Sequence, residues 1–230
     1  MQIRYPTIWM SVSHASVQAS ERDDRREARK RERHAERQRL IMQSARSLLV
    51  LQGIENFTIA QVAAVASVSK PALYYYFDSK EDLVYALCLD VLVAERNVLE
   101  RSINEVPSAL DALAGLVRSR IDFYLQDRDS FRILHVWGPM LGLQARLEAA
   151  REHTLLLGLV ARLATRFAAE SEQRGVRARA EVAKVPELAW AMSQGILAMI
   201  VLGPTRDSDL VRANELRDSA CRWLLDSLVR

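Results

Sequence analysis

An all-α protein is the expectation for this 230-residue chain, and three features carry it. Helix breakers are sparse, with only 8 glycines and 6 prolines. Apolar residues recur at helical spacing, and no window alternates apolar and polar long enough to claim a strand. Between residues 58 and 82, helix start signals and turn signals follow one another closely enough to describe two short helices and the start of a third. The architecture expected is an N-terminal three-helix domain built around a helix-turn-helix, followed by a larger C-terminal helical bundle.

Taken in order, residues 1–20 show no periodicity and many serines, and are expected to be disordered. From Glu21 to Arg39 fifteen of nineteen residues are charged. Pairs such as Glu21–Arg25 and Glu27–Arg31 stand at helical spacing. Residues 1–36 are therefore assigned as a disordered or helical charged arm, either a solvated helical extension or a phosphate-binding element. Ile41, Ala45, Leu48 and Leu49 mark a helix that stops at Gly53, a natural residue just past a helix end.

The next stretch, TIAQVAAVASVSKPALYYYFDSKED, holds the local code. Thr58 with Gln61 three residues on is a capping-box signature. Val62, Ala63 and Ala66 give the first short helix a narrow buried face, and Val68 plugs the turn from inside. Ser69 caps the second helix, where Pro71 is tolerated because it falls in the first turn. Leu73 and Phe77 face inward, so Pro71, Ala72, Tyr74 and Tyr75 face outward. Ser79 with Asp82 starts another helix, with Lys80 in its first turn. Such a helix-turn-helix sits in a DNA major groove, and its expected DNA-binding residues are Thr58, Gln61, Ser69, Lys70, Pro71, Ala72, Tyr74, Tyr75, Tyr76 and Lys80. Tyr75, Pro71 and Ala72 are expected to shape base contacts, and Lys80, Tyr74 and Tyr76 phosphate contacts.

The run from Ala45 to Leu87, through Gly53, Phe57-Thr58, Ile59-Ala60, Val68-Ser69, Leu73-Tyr74, Phe77 and Lys80-Glu81, resembles the DNA-binding domain of TetR-family transcriptional regulators. It departs at Ser67, which stands where a turn glycine is usual. The resemblance covers about a fifth of the chain. It implies a DNA-binding domain over residues 37–87 and an effector-binding and dimerisation domain over 88–230. It further implies a homodimeric regulator, expected to be a repressor on a palindromic double-stranded operator, released by a small, mostly apolar effector. From another class, the rival is a helical interaction protein whose helix-turn-helix takes a protein partner.

Net charge is +3, and its distribution says more than its total. Residues 1–39 carry ten basic and six acidic side chains, residues 40–87 three and four, and residues 88–230 nineteen of each. The helix-turn-helix itself is thus poor in cations, and the positive charge lies in the arm. Cys88 and Cys221, the two cysteines, fall within helical patterns and read as buried packing rather than a disulfide. No signal peptide order is present, and the most apolar window, 185–203, contains Glu187, Ser193 and Gln194 and reads as a buried helix. A cytoplasmic protein without membrane contact is expected.

No nucleotide-binding glycine motif, nucleophile elbow, HExxH, CxxC or EF-hand loop occurs, so neither an enzyme nor a metal or cofactor site is expected. Asp127 and Asp129 read as caps for a helix start, and His135 as a core histidine. In the second half, helices are expected near 108–126, 128–137, 140–173, 186–202 and 208–229, with 173–184 as a connector. Bulky apolar groups gather there, as in bundle pockets, with a few polar groups for orientation. Read alone, any one of these residues more readily fills a core; the resemblance implies a pocket, and its expected residues are Phe123, Phe131, His135, Trp137, Met140, Gln144, Trp190, Ser193 and Gln194. Ala189, Met192, Ile196 and Ile200 form one C-terminal stripe, and Leu210, Leu216, Cys221, Leu224, Leu225 and Leu228 another. By themselves these stripes fit intramolecular packing or self-association equally, and the resemblance favours a dimer.

Overall fold

The structure is a computed structural model that describes residues 8–142, 146–173, 184–203 and 209–229. Ten helices are present among the described residues, which contain no strand. The chain divides into two compact units, residues 1–79 and 80–230, at the first residue of α4, ahead of the 87/88 boundary drawn from the sequence.

In the first unit, α1 (Ile8–Asn56) is one helical run broken only where Gly53 turns to φ 79°. That backbone conformation is open to glycine and strained for other residues, so the helix proper stops where the sequence places its end. The expected disorder of residues 1–20 is corrected for residues 8–20, which lie within α1; residues 1–7 lie outside the described residues. The physical reason is propagation: no glycine or proline stands between Thr7 and Gln52, so each residue adds a hydrogen bond to an existing helix. Ile41, Ala45 and Leu49 are fully buried on one face, while residues 25–37 are exposed throughout. Helices α2 (Ile59–Val65) and α3 (Lys70–Tyr74) complete this unit.

The second unit is a helical bundle. It comprises α4 (Lys80–Asn104), α5 (Ala109–Gln126), α6 (Arg128–Arg132), a π-helical run Ile133–Trp137, the short turn α7 (Gly138–Met140), α8 (Leu147–Gln173), α9 (Val185–Val201) and α10 (Asp209–Val229). Helix α5 is the central element and packs on α4, α8, α9 and α10. Gly115 allows its closest approach to α4: a Cβ there would stand 3.1 Å from the Ser102 carbonyl oxygen. One turn on, the Ser119 hydroxyl donates to Ser102 Oγ at 2.9 Å. The α4–α5 connection is clamped by α8. Arg166 donates to the carbonyls of Ile103 (3.2 Å) and Val106 (2.8 Å), and Glu170 accepts from the Ala109 amide at 2.8 Å. Helix-end groups that would otherwise lack partners are thereby satisfied.

The sequence merged two features that the structure separates. Residues 128–137 are a five-residue helix capped by Asp127, whose carboxylate accepts from the Ser130 amide at 3.3 Å, followed by the π run. The expected helix 140–173 begins instead at Leu147, with residues 143–145 outside the described residues. Both cysteines are free and buried, Cys88 donating to the Ile133 carbonyl at 3.3 Å. Among the described residues no helix is long and apolar enough to cross a membrane.

Candidate DNA-binding face and effector cavity

In the first unit, the sequence signals become hydrogen bonds of the kind they imply. The Gln61 amide donates to Thr58 Oγ1 at 3.3 Å, and the Thr58 amide donates to Gln61 Oε1 at 2.8 Å, a reciprocal cap for α2. Thr58 and Gln61 are both exposed, but their polar atoms are engaged in holding the start of α2. The turn is tightened by the Val68 amide donating to the Ala63 carbonyl at 2.9 Å. Ser67 meets the glycine-like requirement directly, adopting φ 53°. Ser69 accepts from the Ala72 amide at 3.2 Å to cap α3. Leu73 and Phe77 are buried beneath, and Lys70, Pro71, Tyr74 and Tyr75 are exposed, with Ala72 and Tyr76 half-buried. Tyr75 is 74% exposed, against 42% for Tyr74 beside it. Lys70 Nζ lies 5.9 Å from the centre of the Tyr74 ring. Lys80 belongs to the second unit, where it is half-buried at the start of α4.

Sequence reasoning did not single out His34. Its ring lies 4.6 Å from that of Tyr76 and 5.8 Å from that of Tyr75, which in turn meet edge-on at 5.3 Å. Alongside, Lys30, Arg33, His34, Glu36, Arg37, Leu40 and Tyr76 line a concavity of about 540 Å³. The charged arm and the segment ending α3 therefore form one surface within this unit. The available signal was spacing, since Lys30, Arg33 and Arg37 fall on one helix face.

The second unit holds a cavity of about 470 Å³ bounded by α4, α5, the π run, α7, α8 and α9. Of the expected pocket residues, His135, Trp190 and Gln194 line it. Ser193 is buried beside the wall, where it accepts from Arg120 Nη1 at 3.0 Å. Phe123, Phe131, Trp137 and Met140 are not among the groups lining this cavity. The Phe131 and Phe123 rings meet Tyr124 edge-on at 5.2 and 4.8 Å, Phe131 buried in the core and Phe123 half-buried, while Met140 faces outward at 63% exposure. Gln144 lies outside the described residues.

The wall contains something the apolar pattern concealed. Arg120 and Glu95 are both buried and form an ion pair of 2.7 Å between Nε and Oε1. Arg120 also donates to Gln194 Oε1 at 2.5 Å, and the Trp190 ring covers its guanidinium at 4.0 Å. The other carboxylate oxygen of Glu95 is also buried, beside the Tyr124 hydroxyl. The nearby Tyr124 hydroxyl lies 3.2 Å from His135 Nε2. Burial, and then the charge of Glu95, hold the Tyr124 hydroxyl pKa well above its ordinary value. Burial, and then the charge of Arg120, lower that of His135 to about 3, so its ring is neutral. The π-helical geometry around His135 is itself a form concentrated at functional sites. Both Glu95 and Arg120 occupy inward positions of otherwise apolar stripes, which is the only sequence signal they leave.

A capped helix-turn-helix with an exposed second helix is thus followed along the chain by a helical bundle. Residues 41–87 match the family described as bacterial regulatory proteins, tetR family. No curated protein sequence matches the chain. Among solved structures, PfmR of Thermus thermophilus, titled a TetR family transcriptional regulator, is similar at TM-score 0.61 and 21% identity, covering 79% of this chain and 97% of its own. A TetR/AcrR-family regulator of Thermobifida fusca gives 0.60 and 21%, covering 83% and 97%. The regulator FadR of Bacillus subtilis, in complex with stearoyl-CoA, gives 0.57 and 16%, covering 79% and 96%. Residues 41–87 thus match the tetR family, and the chain shares the fold of the solved regulators it resembles.

Proposed function

We propose that the protein is a ligand-responsive transcriptional regulator that binds a palindromic operator as a homodimer, acts as a repressor, and is released by a small molecule with a largely apolar body. The observation that carries this reading is the exposed α3 surface held by a reciprocally capped α2 and a tight turn. A dimer is supported by α9. Of its predicted stripe, Ala189, Ile196 and Ile200 are buried in the bundle and Met192 is half-buried, yet Leu188, Met199 and Leu202 on another face are 61%, 58% and 52% exposed. With Ala191 and Gly195 these residues align on one side of the helix, an apolar strip suited to a second copy. Two-fold symmetry then requires half-sites about one helical turn apart, or a multiple. A ligand is supported by the cavity and by the similarly folded FadR of Bacillus subtilis, solved in complex with stearoyl-CoA. Effector binding would act by population shift, favouring a spacing of the two recognition helices that no longer fits successive major grooves.

Selection of bound sequences from random duplex DNA tests the reading. Enrichment of an inverted repeat, with a hybrid band of intermediate mobility after co-refolding of full-length and tagged chains, is the expected result. Enrichment of nothing would return the helix-turn-helix to a protein partner, and a missing hybrid band would remove the dimer.

A further inference from the structure

Resting on the DNA-binding reading above, with Tyr75 as a base contact, we propose that His34 of the charged arm is a positioning residue for Tyr75. Its imidazole, together with the Tyr76 ring, holds the Tyr75 ring in one orientation, so the arm takes part in choosing a DNA sequence as well as in gripping phosphates. The helical repeat of α1 puts His34 there. At about 100° per residue, Ile41, Ala45 and Leu48 fall within about 40° of the direction of His34. Those three are buried, whereas His34, seven residues before Ile41, is exposed. The stripe that α1 buries in this unit thus runs on past the core, and its next member meets the rings that end α3.

Three rings close on one another at that point. His34 meets Tyr75 at an interplanar angle of 74° and Tyr76 at 38°, and the two tyrosines meet at 89°. Every one of these centroid distances, 5.8, 4.6 and 5.3 Å, lies in the range where aromatic pairs attract, and the near-perpendicular pairs have the favoured edge-to-face geometry. The backbone of Tyr75 is already fixed, because it is the C-cap of α3 at φ −67° and ψ −25°. Its side chain, 74% exposed, is not fixed by burial. An exposed ring keeps several staggered rotamers unless its neighbours exclude them, and each rotamer carries the hydroxyl to a different place. Ordering the ring before DNA arrives lowers the cost of ordering it in the complex. Only sequences matched to that one orientation gain, so the effect enters discrimination. One aromatic pair is worth about two- to twelvefold in an equilibrium.

A double-mutant cycle on the full chain tests this. The quantity read is the ratio of affinities for the selected operator and for the same duplex altered at the base pair where Tyr75→Ala loses preference. His34→Ala should lower that ratio about two- to twelvefold, yet leave it unmoved in the Tyr75→Ala background. The slope of log K against log[salt] should stay as it is, and His34→Phe, which keeps a ring, should retain most of the ratio. Without DNA, His34→Ala should also move the Tyr75 ring resonances of tyrosine-labelled protein, assigned with Tyr75→Phe. Should His34→Ala not fold, His34→Leu keeps an apolar side chain without a ring and takes its place. An unchanged ratio, or unmoved Tyr75 resonances, would overturn the proposal. So would a loss that persists in the Tyr75→Ala background or a flattened salt slope, since His34 would then touch DNA itself. If Tyr75→Ala leaves sequence preference intact, there is no reading ring to position and the proposal falls. Selection of no sequence by the unaltered protein would sink the DNA-binding reading and this proposal with it, whereas failure of the cycle alone leaves the regulator reading standing.

Discussion

Replacing Lys30 and Arg33 together by alanine isolates the arm's part in DNA binding. Lys30, Arg33 and Arg37 stand at i, i+3 and i+7 of α1, all exposed, and with His34 of the same helix line the concavity that Tyr76 closes from the side of α3. A duplex of dense negative charge is held chiefly by cations that displace its counterions, and the slope of log K against log[salt] changes by about 0.9 for each phosphate contact. Losing two contacts should flatten that slope by about 1.8. Between 50 and 200 mM salt, the unaltered protein should therefore weaken about 12-fold more than the variant. Fluorescence anisotropy on the selected operator across that range measures the difference, and circular dichroism confirms that α1 persists. Operator preference should be unchanged, because phosphates carry no sequence. Arg31 and Arg39 lie off this face, so the Arg31→Ala/Arg39→Ala variant is the matched control. An unchanged slope for Lys30→Ala/Arg33→Ala, or an equal fall in the control, would refute the assignment of this face and leave the arm a solvated extension.

Other substitutions probe the two units separately. Tyr75→Ala should alter which sequences are preferred while leaving the salt slope intact, measured by repeating the selection; a uniform loss across sequences would show that Tyr75 does not read bases. Arg120→Met strands the buried Glu95 charge and should cost about 3–5 kcal/mol, lowering the melting temperature by roughly 6–20 °C, whereas adding Glu95→Leu should restore most of it. A single-variant shift under about 2 °C would mean that the pair is not buried in solution. His135 titrates at about 3 when folded and near 6.5 when unfolded, so the unfolded chain takes up the proton first. Its contribution is complete above about pH 6.5 and declines as pH falls toward 3, by up to about 2 kcal/mol at pH 5. Urea denaturation at pH 7.5 and 5 should show this loss, and His135→Gln should flatten it.

What the sequence revealed follows the range of the interactions. The helix-turn-helix was legible because its determinants are three or four residues apart: Thr58 with Gln61, Ser69 with Ala72, and the turn around Ser67. Fixed spacing of this kind is written in the chain itself. The cavity wall joins Glu95, Arg120, Ser193 and Gln194, whose partners stand 25, 73 and 74 residues apart along the chain. No local pattern encodes such pairings, and aromatic abundance drew attention to Phe123, Phe131, Trp137 and Met140 instead. Large rings are as suited to filling a core as to lining a pocket, and only packing decides between the two. The arm failed in the other direction. Absence of apolar periodicity read as disorder over residues 8–20, whereas uninterrupted helix-compatible residues allowed α1 to continue.

The condition of the two thiols has a practical consequence for watching this molecule work. Burial pushes Cys88 up to about 12 and raises Cys221 as well, and both sulfurs sit against backbone carbonyls of the bundle. At pH 7.5 the reactive thiolate of Cys88 is then a fraction of only about one in 10⁴ or less. A maleimide dye or nitroxide should pass over both native sites, so the unaltered sequence serves as its own cysteine-free background. One new cysteine at an exposed position of the first unit, such as Glu55, would carry the label alone. In a two-fold assembly that single change reports the separation of the two reading heads with and without effector.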